Sequence, residues 1–215
     1  MDIQVLVSPE MGENTLVVPL ANDTFFVVDP ACEIESEKKI AAVVLTHGHF
    51  DHVSALKNLC RKNPRVPVLI HELDAKYIGK NALAAQSKIL GDCGILGISE
   101  MFSDMPSPTG FLRDGERLSD AIETADEKIK AALSEWTVLH TPGHSAGSIC
   151  LLNEKERVLI SGDTMFYHSY GRTDFFDGSM SDMTKSLRRL YALSGDILVY
   201  PGHDAVSFPL SENQF

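Results

Sequence analysis

Three of the eight histidines fall within six residues and beside an aspartate, as His47, His49, Asp51 and His52. Alternate residues of an extended segment face the same way, so a chain leaving a strand can aim His47 and His49 to one side while the following turn redirects Asp51 and His52. Burying that many polar groups without partners would be costly, and imidazoles with a carboxylate at this density point to a metal site. The geometry suits two ions better than one. Three further candidates, His144, Asp163 and His203, each stand where an apolar run gives way to a loop. Polar groups at strand ends can converge over one edge of a sheet, and Gly48, Gly143, Gly162 and Gly202 beside them permit sharp turns and close approach.

The other polar residues divide by context. His71 and His140 follow no glycine-rich exit and read as structural, each with local hydrogen bonds. His168, after the Asp163 loop, is a candidate for the pocket wall. Arg172 offers a guanidinium that could meet a substrate carboxylate; an ion pair with Asp174 or Asp177 that fixes its loop is the equal alternative.

The elements that must position these residues are strands first and helices later. Residues 3–7, 15–20 and 24–28 alternate with turn signals, with Ala21, Asn22 and Asp23 as a hairpin turn. Residues 40–46 form a continuous apolar run, the mark of a strand buried on both faces, and end on the histidine cluster. A helical period follows from Val53 and stops at Asn63 and Pro64; residues 66–71 read as a strand and 72–78 as a helix. Residues 86–120 carry scattered glycines and prolines among Ile95, Leu96, Met101 and Phe102, and read as a loop-rich insertion, either a substrate wall or a bare connector. Strands return at 136–140, 148–153 and 157–161, a helix at 181–193 with Met183, Leu187, Leu190 and Tyr191 inward, and a strand at 197–200 that runs into His203.

Bulk properties bound the function. Hydrophobic residues at 44% and charged residues at 23% describe a globular chain. A net charge of −11 without any basic run argues against nucleic acid, and no apolar run is long enough to span a bilayer. The N-terminus shows no secretory pattern. Four widely spaced cysteines, Cys32, Cys60, Cys93 and Cys150, form no CxxC pair and read as reduced packing thiols of a cytoplasmic protein.

The order His47-x-His49-x-Asp51-His52, His144, Asp163, His203 resembles the metallo-β-lactamase superfamily across nearly the whole chain. Flanks agree at Glu13-Asn14-Thr15, Asp29-Pro30, Thr141-Pro142-Gly143-His144-Ser145 and Pro201-Gly202-His203, although Ala31 stands where a glycine is common. Gly171-Arg172-Thr173-Asp174-Phe175, Gly178-Ser179 and the helix around Ser186 to Leu190 are similar to the glyoxalase II group, in its short form without a C-terminal helical domain. The resemblance implies a single α/β domain over residues 1–215, a four-layer αβ/βα sandwich of two mixed sheets flanked by helices. It would place His47, His49 and His144 on a first divalent ion, Asp51, His52 and His203 on a second, and Asp163 between them. The implied activity is hydrolysis of a small-molecule thioester such as S-D-lactoylglutathione by a metal-bridging hydroxide, which Asp51 could orient. Such ligands suit zinc, and iron or manganese also accept them. Rival readings are a mononuclear iron persulfide dioxygenase, a lactone or phosphodiester hydrolase, and a non-enzymatic metal-binding module.

Overall fold

Successive side chains of a strand point to opposite faces, and in Phe25, Phe26, Val27 and Val28 both faces are apolar and buried. Phe26 and Val28 join a core cluster with Trp136 and Ile160, while Phe25 and Val27 join another with Leu56 and Ile89. A strand of this kind must be covered on both sides, which dictates layers. In the computed structural model, which describes residues 1–213 apart from Leu96 and Ile98, those layers are helix, sheet, sheet and helix. Leu96, named above with the apolar residues of the 86–120 segment, lies outside the described residues.

The first sheet runs in the order β1 (Gln4–Val7), β2 (Asn14–Pro19), β3 (Thr24–Val28), β4 (Lys39–Val44), β5 (Val68–His71), β6 (Gly110–Leu112). β1 to β3 form an antiparallel meander, and β3 to β6 are parallel. The β2–β3 turn has Asn22 and Asp23 at φ 56° and 50°, a left-handed pair of the kind a tight hairpin requires. The second sheet is β7 (Trp136–His140), β8 (Ile149–Asn153), β9 (Val158–Gly162), β10 (Leu198–Pro201) and β11 (Phe208–Pro209), with β9 and β10 parallel and the other pairs antiparallel.

Between the sheets Phe26 meets Trp136 edge to face, ring centroids 5.4 Å apart, and such a pair adds roughly 0.5–1.5 kcal/mol beyond the burial of its surface. Outside the first sheet lie α1 (Leu56–Lys62) and α2 (Ala82–Asp92), and outside the second lies α5 (Met180–Tyr191). Two short helices, α3 (Leu118–Ala121) and α4 (Glu127–Ser134), bury Leu118, Ile129 and Leu133 in the central cluster.

Several expectations are corrected. The 86–120 segment opens with most of α2 and also contains β6 and most of α3. Ala82, Ala85, Gln86, Ile89 and Leu90 do repeat at helical spacing, but small alanines and a polar Gln86 on the buried face hide the stripe. The helix after Val53 begins only at Leu56, because the preceding residues turn to aim the histidine cluster. Residues 72–77 form a 3-10 helix rather than an α-helix. On α5, Met183, Leu187 and Leu190 point inward as expected, but Tyr191 is 40% exposed.

Candidate metal centre

The loop after β4 is fixed by hydrogen bonds along its length. Thr46 donates its N–H to Asp29 Oδ1 at 2.7 Å and its hydroxyl to Asp29 Oδ2 at 2.5 Å. Gly48 donates its N–H to Asp74 Oδ2 at 3.1 Å, and its carbonyl accepts from Gln86 Nε2 at 2.8 Å. A Cβ on Gly48 would lie 2.5 Å from Tyr77 Cβ, so only glycine lets this loop lie flat on the ring. The His144 loop is tied to the same support: Asp74 accepts from Ser145 Oγ at 2.7 Å and from the Gly147 N–H at 2.7 Å. Asp74 thus staples a loop of the first sheet to a loop of the second.

His203 is held from the opposite side. Asn14 donates its N–H to Gly202 O at 2.6 Å and its Nδ2 to Pro201 O at 3.1 Å and Asp204 O at 3.2 Å. A Cβ on Gly202 would collide with Asp163 Oδ1 and His52 Cε1. The bare backbone there lets β9 and β10 bring Asp163 and His203 beside His52.

All seven candidate ligands converge on one edge of the sandwich. His47, His49 and His144 present nitrogens within 4.8 Å of one another, as do the ligand atoms of Asp51, His52 and His203. Asp163 lies between the groups, with Oδ1 3.2 Å from His52 Nε2 and Oδ2 3.5 Å from His144 Nε2 and 3.8 Å from His203 Nε2. The outer ring nitrogens are already engaged: His144 Nδ1 with Arg172 O at 2.8 Å, His52 Nδ1 with Asp29 Oδ2 at 3.0 Å, His203 Nδ1 with Gly12 O at 3.2 Å. Such contacts fix the tautomer and leave the inner nitrogen as a lone-pair donor. Asp29, His47 and His52 are also close enough to form a metal-sized group, but both Asp29 oxygens are taken by Thr46 and His52, so Asp29 is a support rather than a ligand.

The electrostatics agree with a cation-binding role. Burial, then the neighbouring imidazoles for His47 and His144 for His49, hold these two residues well below the ordinary histidine range, in the neutral form that ligates metals. For His52 burial acts the same way, but Asp163 and Asp51 outweigh it and raise its pKa. Burial pushes the fully enclosed Glu13 carboxyl, beside Thr15, up to about 10. Asp51 and Asp163 stay anionic despite burial because His52 faces both. His47 Nε2, His52 Nε2 and Asp163 Oδ1 are buried without hydrogen-bond partners, and His49 Nδ1 faces His144 Nε2 at 2.8 Å. Orphaned donors and acceptors of this kind at one point are what divalent cations would satisfy, and the residues therefore fit metal.

The centre opens into a cleft of ≈ 400 Å³ whose walls include Ile89, Cys93, Phe166, Arg172 and Phe175. The Phe175 ring centroid lies 5.0 Å from that of His49 and 5.5 Å from that of His144. Arg172 reaches the cleft, but its guanidinium is paired with Asp174 at 2.7 and 2.8 Å and lies 4.3 Å from the Phe175 ring centre. Asp177 instead accepts from Lys76 and Tyr77. His168 is exposed in a turn with φ 55°, donates its N–H to Asn213 Oδ1, and is not among the residues lining the cleft. His71 and His140 make local hydrogen bonds to Leu73 and Ala146, as expected, and also stack on each other at 4.1 Å. The four cysteines are free thiols.

Asp74, Gln86 and Phe175 have no place in a reading of the sequence as ligands, because each acts through a contact distant in sequence. The signal for Asp74 is faint: an acidic residue just past a strand end, four positions after the buried Ile70.

Residues 15–203 match the model of the metallo-beta-lactamase superfamily. An uncharacterized protein of Aquifex aeolicus is 33% identical over 184 residues, 82% of this chain and 77% of its own. The hydroxyacylglutathione hydrolase GloC of Haemophilus influenzae is 25% identical, covering 94% of this chain and 91% of the relative. Among solved structures, TTHA1623 in a di-iron-bound form superposes with a TM-score of 0.76 at 28% identity over 99% of this chain and 96% of that one. Among the described residues no helix is long and apolar enough to cross a membrane.

Proposed function

Because the chain belongs to the metallo-beta-lactamase superfamily, we propose that it is a dinuclear metal-dependent hydrolase of thioesters, with S-D-lactoylglutathione as the first substrate to try. The observation that carries the dinuclear reading is Asp163, whose two carboxylate oxygens lie 3.2–3.8 Å from nitrogens of His52, His144 and His203, drawn from both ligand groups. The similarity to GloC supports the thioester as the bond cleaved. Free thiols in all four cysteines support a reducing, cytoplasmic setting.

His47, His49 and His144 would hold one ion, Asp51, His52 and His203 the other, and Asp163 both. Zinc suits this set of nitrogens and carboxylates, and iron is the alternative that the di-iron form of TTHA1623 brings forward. When bound, two such ions make water acidic enough to attack near neutral pH and offset the charge that develops on oxygen and sulfur. The chain does the positioning. Asp51, anionic and partly open to the cleft, accepts a hydrogen bond from the attacking water and orients it. Asp29 holds His52 in one tautomer, and Phe175 keeps bulk water from His49 and His144.

The test is elemental analysis of purified protein with steady-state hydrolysis of S-D-lactoylglutathione, beside Asp163→Ala and His52→Ala. Two ions per chain and a loss of at least about 100-fold in each variant are expected. Undiminished hydrolysis by metal-depleted variants would sink the mechanism. One iron per chain with oxygen uptake on glutathione persulfide would assign the mononuclear dioxygenase reading instead.

A further inference from the structure

A second cavity of ≈ 530 Å³ abuts the metal cleft, and Phe50 and Asp51 line both. Its size falls within the roughly 300–1,000 Å³ of small-molecule pockets. Met11 from the β1–β2 loop, Ala31 after β3, Ala55 before α1, and Met101 and Phe102 supply much of its lining. Met11 and Met101 are 36% and 56% exposed, and their flexible thioethers can adapt to chains of varied shape. The charged residues lining it are Glu10, Glu33 and Asp51, and no lysine or arginine is among them. Lys62 offsets Glu33 from outside at 3.1 Å and Asp51 belongs to a candidate ligand group, which leaves Glu10 as the one uncompensated charge of the lining. Ser54 spends its hydroxyl on Ala31 O, so this polar side chain adds no free donor.

We propose that this second cavity is an acyl subsite, taking the uncharged apolar acyl chain of a thioester whose carbonyl lies at the metal cleft. The inference rests on the thioester reading and narrows its substrate class. Glu10 at the wall disfavours an anionic group there, so the uncharged acyl arm suits the cavity better than a carboxylated or phosphorylated carrier thiol. Asp51, a wall residue of both spaces, is itself a candidate ligand, so the cavity lies within one side chain of the metal centre. A lactoyl group is too short to fill it, and longer acyl chains are the better substrates.

The test uses metal-loaded protein and two neutral series on N-acetylcysteamine, S-acyl thioesters of two to eight carbons and the corresponding uncleavable S-alkyl thioethers. The expected result is kcat/KM rising roughly 2- to 4-fold per methylene, thioether Kd falling in parallel, and a terminal carboxylate on the six-carbon chain cancelling the gain. Met101→Glu, at an exposed position that should not disturb folding, is expected to lower the eight-carbon kcat/KM and thioether affinity at least tenfold. Flat length dependence in both series, or unchanged eight-carbon binding in Met101→Glu, overturns the subsite. Thioesters hydrolysed at a length-independent rate would leave the hydrolase reading standing and remove the subsite. Length-dependent thioether binding with no thioester turned over would overturn the thioester reading and, with it, the acyl assignment, leaving only an apolar chain site.

Discussion

Asp29 Oδ2 lies 3.0 Å from His52 Nδ1 while Asp29 Oδ1 accepts the Thr46 N–H at 2.7 Å, so one carboxylate orients a candidate ligand and anchors the start of the ligand loop. Asp29 sits at φ 51°, a conformation asparagine also tolerates, so Asp29→Asn should fold. Loss of charge behind His52 is expected to weaken the ion shared by Asp51, His52 and His203 by about 10- to 100-fold, with the other ion retained longer. Stepwise metal release to a chromogenic chelator measures both; equal release of the two ions in variant and wild type would count against it.

Asp74→Ala removes the acceptor for Gly48, Ser145 and Gly147 together. Leaving those buried donors unpaired is expected to cost about 3 kcal/mol, read from the midpoint of urea unfolding. Asp74→Asn keeps one carbonyl oxygen and should cost less.

Arg172→Ala is expected to change stability by less than about 1 kcal/mol, because the ion pair with Asp174 is exposed. The Arg172 carbonyl that meets His144 Nδ1 survives the substitution, so metal content should not change. A large drop in metal content would mean that the guanidinium over Phe175 braces the loop.

His71 supplies a pH dependence distant from the metal ligands. Burial first, then the stacked His140, lower its pKa from 6.5 to about 4; Asp114 opposes this and Arg113 adds to it. The neutral ring is also the form that can accept the Leu73 N–H at 3.3 Å. Since the folded pKa lies below the unfolded one, the unfolded chain binds more protons between about pH 6.5 and pH 4, and this contribution is present above 6.5 and lost as pH falls through 4. Unfolding midpoints at pH 7 and pH 4.5 should therefore drop further for wild type than for His71→Phe; parallel drops would contradict the assignment.

The legible parts of the molecule were those in which local spacing carries the information. His47 to His52 declare themselves because the ligands are packed into one loop, and the long strands because both faces are apolar. β6 and β11 have three and two residues, too short for any alternation to register. The pairing of His144 with His49, at 2.8 Å between ring nitrogens, spans 95 positions; local spacing does not reveal it, and the family resemblance alone grouped the two. The supports Asp74 and Gln86 were hidden for the same reason, since a buried carboxylate or amide looks like a surface residue until its partners are known.

Ile89, Cys93, Phe166, Arg172 and Phe175 line the cleft, and Met101 and Phe102 the neighbouring cavity, yet none of them belongs to the candidate ligand groups. The ligands are secured by contacts made through Asn14, Asp29, Asp74 and Gln86, residues absent from both linings, and by the Arg172 backbone carbonyl, which no side-chain replacement removes. Substrate preference can therefore drift over generations, by replacement of wall residues one at a time, while the reactive machinery is inherited intact.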